Sequence, residues 1–168
     1  MKNLYFFVIS FVFLLINGFN TVSFAQRCSK FHKEHCPTAE NIYYKYHERS
    51  RSALFVRGQT SQMYIEVFNG RDYRISVCAE DIFGNTIEFK LIDRYEGTVL
   101  YDNTRDNLAQ EFEFTVTKTR ELIIEIHVPD DSGHSQGEHG RDGLVRKDYD
   151  MGCVGVLIEH MITPKKGF

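Results

Sequence analysis

Positive charge is not in excess in this chain: 20 Lys and Arg stand against 23 Asp and Glu, a formal net charge of −3 with histidine neutral. A general nucleic-acid binder needs a basic face to meet phosphates, so that class is disfavoured. A basic amphipathic stretch is missing too, and with it the usual means of adsorbing to a membrane surface. None of the four cysteines sits in a C-x-x-C, the spacing that brings paired thiolates to zinc or to redox chemistry. No H-E-x-x-H is present, so the zinc-protease helix is not encoded. There are no repeats at solenoid periods. No strong amphipathic helix separates the β-patterned segments, which excludes the crossovers of a parallel α/β sheet.

What is present starts with a leader. Lys2 precedes an almost wholly apolar run over residues 4–16, and Ser23-Phe24-Ala25 puts small residues where signal peptidase reads them. The run is shorter than the roughly 20 residues of a spanning helix, and it ends at Asn17-Gly18. The expected division is a signal peptide over residues 1–25, an N-terminal arm over 26–52 and a β domain over 53–168. Cys28, Cys36, Cys78 and Cys153 all lie beyond the leader. An even count in an exported chain reads as disulfides, so a secreted or periplasmic location follows, with no membrane span after cleavage.

Residues 63–80, MYIEVFNGRDYRISVCAE, are two β-patterned runs joined by Asn69-Gly70, a hairpin signal. Met63, Ile65 and Val67 alternate with Tyr64, Glu66 and Phe68, and Tyr73, Ile75 and Val77 alternate with Arg74, Ser76 and Cys78. A two-residue loop would set Ile65 opposite Arg74. Burial outweighs turn chemistry because a one-residue slip flips every side chain, so an odd loop or a bulge near 69–72 is expected. Further alternating runs cover 53–56, 86–93, 98–101, 111–116, 121–128 and 153–162. About eight short strands at this spacing predict an antiparallel β-sandwich of jelly-roll type with a disulfide-clipped arm. In the arm, Thr38 after Pro37 is placed to cap a short helix carrying Ile42, Tyr43 and Tyr46 on one side. An irregular clipped arm lying over the sandwich is the alternative.

With GQTSQMYIEVFNGRDYRISVC, IEFKLID, VLYDN, FEFTVTKTRELIIEIHVP and GCVGVLIEH in hand, the stretch 52–168 resembles small, uncharacterised exported bacterial β-sandwich proteins. The succession I-E-F-K-L-I-D, V-L-Y-D-N and F-E-F-T is also similar to pre-peptidase C-terminal and GOLD-type sandwiches. That resemblance implies a small non-catalytic module of secreted or trafficking proteins.

Four sets of residues invite a functional reading. Asp102, Asn103, Asp106 and Asn107 offer closely spaced hard oxygens suited to calcium, though Asp and Asn are also ordinary turn formers. Tyr43, Tyr44 and Tyr46 form either a ligand-stacking platform, for instance for a carbohydrate, or packing for the arm. His134, Glu138, His139 and Asp142 lie in the glycine-rich stretch 130–150 and have the donors of a transition-metal site. For catalysis, His127 and His160 lie on or near strands, and Glu111 with Glu113 and Glu121 with Glu125 share faces. The leading expectation is a non-catalytic module with a protein or glycan partner in the envelope and no cofactor beyond calcium. A calcium- or carbohydrate-binding domain comes second and an envelope hydrolase third.

The cysteine pairing expected from phase is Cys28–Cys36 and Cys78–Cys153. Cys78 and Cys153 are both out of step with their strands' core sets and would leave the same non-core face. Cys28 and Cys36 would close locally. Mass spectrometry of the exported protein is expected to find Gln26, or its pyroglutamate, at the N-terminus. Intact Met1 in the membrane fraction would show an uncleaved anchor instead.

Overall fold

The computed structural model describes residues 27–130 and 151–165. A one-turn helix α1 (Phe31–Glu34) is followed by β1 (Lys45–Tyr46), β2 (Arg51–Val56), β3 (Thr60–Val67), β4 (Arg71–Ala79), β5 (Glu88–Asp93), β6 (Val99–Asp102), β7 (Glu111–Val116), β8 (Arg120–His127) and β9 (Met151–Ile162). One sheet runs β2-β9-β4-β7, with β1 sharing the β2 edge of β9; the other runs β3-β8-β5-β6. All pairings are antiparallel. From β2 onward the chain changes sheet at every step except β5 to β6. This is the strand order of a jelly roll, as the alternating pattern predicts.

The stretch 63–80 is not a hairpin. β3 pairs with β8, while β4 lies between β7 and β9 in the opposite sheet. Asn69-Gly70 carries the chain across the sandwich, with Gly70 at φ +76, a left-handed conformation that costs glycine nothing. The register conflict of the sequence disappears here. Met63, Ile65 and Val67 face Tyr73, Ile75 and Val77 through the core, so no bulge is needed to bury both sets. The core is completed by Phe89, Leu91, Leu122, Ile124, Ile126, Val154, Val156 and Ile158, all buried.

The outer face of the β9-β4-β7 sheet is covered by the arm. Cross-strand rows read Tyr46–Glu159–Arg74–Glu113, then Leu157–Ser76–Glu111, then Ser52–Gly155–Cys78. The arm crosses these rows from Cys28 to Asn41. No helix forms after Thr38; the backbone there is held to the sheet. Pro37 O accepts from Arg74 Nη1 at 2.9 Å and Ala39 N donates to Glu159 Oε2 at 2.9 Å.

The disulfides are Cys28–Cys153 and Cys36–Cys78, which overturns the expected pairing of Cys28 with Cys36 and of Cys78 with Cys153. Both strand cysteines do leave the outer face, as their phase implies. They are not opposed, however: Cys78 faces Gly155, and Cys153 faces Leu54. Each is met from above by an arm cysteine, at Cα separations of 5.4 and 5.0 Å. Gly155 makes room for this. A Cβ there would stand 2.9 Å from both Cys78 Sγ and the His32 Cα, closer than the packing tolerates.

The bridges close spans of 125 and 42 residues. In the chain-entropy model, removing the longer one costs about 1 kcal/mol more. Cys28→Ser with Cys153→Ser is therefore expected to lower the melting temperature further than Cys36→Ser with Cys78→Ser. The reverse ranking would mean that strain or residual structure outweighs loop entropy.

Candidate functional site

The arm is held by a buried charge. Arg74, with 5% of its side chain exposed, contacts Glu159 Oε2 and Glu111 Oε2, both at 2.7 Å, and Glu113 Oε1 at 3.6 Å. Of the three carboxylates only Glu159 is itself buried, and removing Arg74 would leave it without its cation, a loss of roughly 3–5 kcal/mol for a buried pair. A second anchor is neutral. His32 is 4% exposed, with Nδ1 2.9 Å from Ser52 Oγ and Nε2 3.2 Å from Tyr46 Oη. The Ser52 hydroxyl donates to Cys28 O, which leaves its oxygen to accept from His32. This is a closed chain of donors for a neutral imidazole, and its serine is occupied as a donor to backbone. Between β1 and β2, Ser50 Oγ accepts from Ile158 N at 2.9 Å and so stands in for a missing rung of the ladder.

These anchors present a tight turn at residues 41–44. Tyr44 N donates to Asn41 O at 3.1 Å, and Tyr43 N donates to the Asn41 side-chain oxygen at 3.0 Å. Asn41 Nδ2 reaches Met161 Sδ at 3.7 Å, tying the turn to the end of β9. The pKa of the Tyr44 hydroxyl is pushed up to about 12 by partial burial, then by the nearby Glu113 and Asp72 carboxylates. Between these fixed ends the turn exposes its two largest apolar side chains: Ile42 is 85% exposed and Tyr43 71%. The three tyrosines do not make one platform. Tyr46 stacks against His32 and lies under Lys33 Nζ, Tyr44 leans on the sheet, and Tyr43 points out.

The expected calcium residues shape a turn of their own. Asp102 accepts from Thr104 N and Oγ1, and the hydroxyl contact holds its pKa down. Asn103 is fully buried; its oxygen accepts from Phe89 N at 2.8 Å while its amide donates to Ile87 O and Ala109 O. Asp106 accepts from Tyr101 Oη at 2.9 Å, and Asn107 has φ 49. Asn103 thus faces the core, and the two aspartates serve separate donors. Among the described residues no three His, Cys, Asp or Glu side chains gather where a cation would sit.

The other candidates are dispersed. His134, Glu138, His139 and Asp142 lie outside the described residues. So does Gly133-His134-Ser135-Gln136-Gly137, a G-x-S-x-G match whose catalytic meaning requires a sharp strand-to-helix turn. His127 Nδ1 meets the Thr60 hydroxyl at 2.9 Å, and His160 Nδ1 meets Arg71 Nη1 at 3.0 Å. Glu111 and Glu113 serve Arg74, Glu121 pairs with Arg94, and Glu125 accepts from Gln62 Nε2 at 2.7 Å. These carboxylates neutralise cations or satisfy donors and do not pair with one another as acid and base. A polar cavity of about 440 Å³ beside Cys153 is lined by Arg27, Lys30, Glu34, His35, Glu80 and Asp81; its charges alternate in sign, and Arg27 and Glu80 pair across it at 3.1 Å.

No family model and no curated protein matches the chain. Among solved structures it is similar to that of Aeromonas hydrophila PliG, a periplasmic lysozyme inhibitor of g-type lysozyme. The TM-score is 0.44 at 7% identity, over 74% of this chain and 92% of that one, and a likeness at that level carries no functional argument. No helix among the described residues is long and apolar enough to cross a membrane. The two disulfides point to an exported chain.

His32, His47 and His160 all have pKa values below the ordinary 6.5, chiefly through burial, with Lys33 acting on His32 and Arg71 on both of the others. A folded-state value below the unfolded one favours the neutral fold. That stability is intact above about pH 6.5 and declines as pH falls below it, where the unfolded chain takes up protons more readily. Thermal melts are expected to be flat from neutral pH to about pH 9, below the ordinary tyrosine range, and to fall on acidification. His32→Gln should reduce the acid-side slope; an unchanged slope would remove His32 from that account.

Proposed function

We propose that the chain is an exported, non-catalytic binding module that docks a protein partner with its 41–44 turn. The observation that carries this reading is the presentation of Ile42 and Tyr43, largely exposed, on a turn whose two ends are fixed. Binding loses affinity to the ordering of loops and side chains, and a turn already held in its bound shape avoids most of that cost. Apolar and aromatic anchors of this kind dominate protein interfaces once they enter a pocket. A calcium role for the 102–107 loop has less support, since each of Asp102, Asn103 and Asp106 already serves a local donor. A carbohydrate platform would need stacked rings side by side, and the three tyrosines of the arm face different surroundings.

The test places a photo-crosslinking residue at position 43 and, as a control, at Tyr95, which is 79% exposed on the other sheet's side of the molecule. In the native envelope or medium fraction, a discrete adduct is expected from position 43 and none from 95. Ile42→Ser should abolish the adduct while changing stability by no more than about 0.5 kcal/mol, as for an exposed site. No adduct at 43, or the same adducts from both positions, would overturn the proposal.

A further inference from the structure

Among the described residues the sandwich has four edge strands, and three of them are blunted. β6 is four residues long, and its register with β5 shifts at Leu91/Ile92. β7 carries Glu111 and Glu113 on its outer face. The β2 edge is interrupted at Ser50 and flanked by Arg49 and Arg51. Short length, bulges and charge are the usual means of stopping a strand from pairing with another chain.

Among the described residues β3 is the least protected of the four: it carries Glu66, and the Arg94 guanidinium lies 4.9 Å from the centre of the Tyr64 ring. It runs eight residues, Thr60–Val67, in unbroken register with β8. It contains no Pro, Lys or Arg, and its one charged residue is Glu66. It ends its sheet, and among the described residues no turn or loop backbone bonds to it. On the outer face of that sheet Tyr64, Ile123, Ile92 and Val99 form one cross-strand row. Tyr64 and Val99, at its two ends, are 48% and 49% exposed.

We infer that β3 pairs antiparallel with β3 of a second copy of this chain, about a two-fold axis through Tyr64. A two-fold axis normal to the sheet keeps each face on its own side, so paired residues must share a face. Centring on Tyr64 meets this condition and fits the side chains. Tyr64 lies against its own copy, so the two apolar rows become one across both molecules. Glu66 falls opposite Gln62 of the second copy, an acceptor against a donor, and the two Glu66 carboxylates stay apart. Met63 and Ile65 face each other on the core side. Centring on Glu66 would instead oppose two like charges, which destabilises a sheet pair. The inferred contact lies on the opposite sheet from the arm and leaves the 41–44 turn available.

Sedimentation velocity of the oxidised protein over a concentration series should show reversible dimerisation. Tyr64→Lys, which sets two ammonium groups face to face, is expected to weaken it roughly tenfold or more with the thermal melt little changed. Tyr64→Cys should form an intermolecular disulfide on oxidation, since directly opposed Cβ atoms lie about 4.5–5.5 Å apart. Ser61→Cys, which would face Val67 of the second copy, should not. A protein that is monomeric throughout would overturn the inference. So would a dimer unaffected by Tyr64→Lys, or a Ser61→Cys variant that crosslinks as well as Tyr64→Cys does, since either places the contact elsewhere.

Discussion

A guanidinium with almost no access to water organises one side of this molecule. Arg74 projects from the middle strand of the β9-β4-β7 sheet, on the face turned away from the core, where a charged residue would ordinarily be solvated. The arm buries it, and the burial is tolerable because two carboxylates and the Pro37 carbonyl meet it at 2.7–2.9 Å. One of those carboxylates, Glu159, also accepts from the Ala39 amide. Arg74 and Glu159 therefore compensate each other's burial, and each fixes the arm's backbone at one point. The disulfides tie the arm to the same face further along, and the exposed turn lies between these anchors and β1.

Most of the strands can be read from the alternation alone. Ile87, Phe89 and Leu91, then Leu122, Ile124 and Ile126, then Val154, Val156 and Ile158 are each in phase, and each set is buried. What alternation does not reveal is which strands are neighbours. Residues 63–80 have the local chemistry of a hairpin, yet their two strands lie in different sheets. The clue is the clash itself: no even loop can bury both apolar sets side by side, whereas facing each other across the core buries both. A register conflict at an Asn-Gly turn thus marks a crossing between sheets as readily as a bulge.

The site is less legible. Phase puts Cys78 and Cys153 on the correct face, but the pairing depends on an offset of two residues along β9, set by how β4 and β9 align over their whole length. Arg74 stands out in the sequence as a cation beside aliphatic residues, but its partners come from β7, β9 and the arm, which are far apart in the chain. Ile42, Tyr43 and Tyr46 have the spacing of one helix face, but no helix forms, and Ile42 and Tyr43 become the most exposed apolar side chains of the arm. The Asp/Asn loop divides more simply: Asn103 turns inward as the buried link between β5 and the loop at Ala109, a role its neighbours in sequence do not share.

The bridge from Cys28 to Cys153 has a consequence for biogenesis. Cys28 is the first cysteine to emerge from a translocation pore and Cys153 the last. Its proper partner is thus the last to arrive, while Cys36 follows only a few residues behind and closes a far smaller loop, the kind that forms soonest. The shortest loop available is therefore a non-native one. A Cys28–Cys36 bond, were it to form, would have to be broken by thiolate attack before the arm could be laid across its sheet. For such chains, maturation of the arm would need disulfide rearrangement as well as oxidation. A compartment that only oxidises would accumulate chains whose sandwich is formed but whose arm is tied to itself.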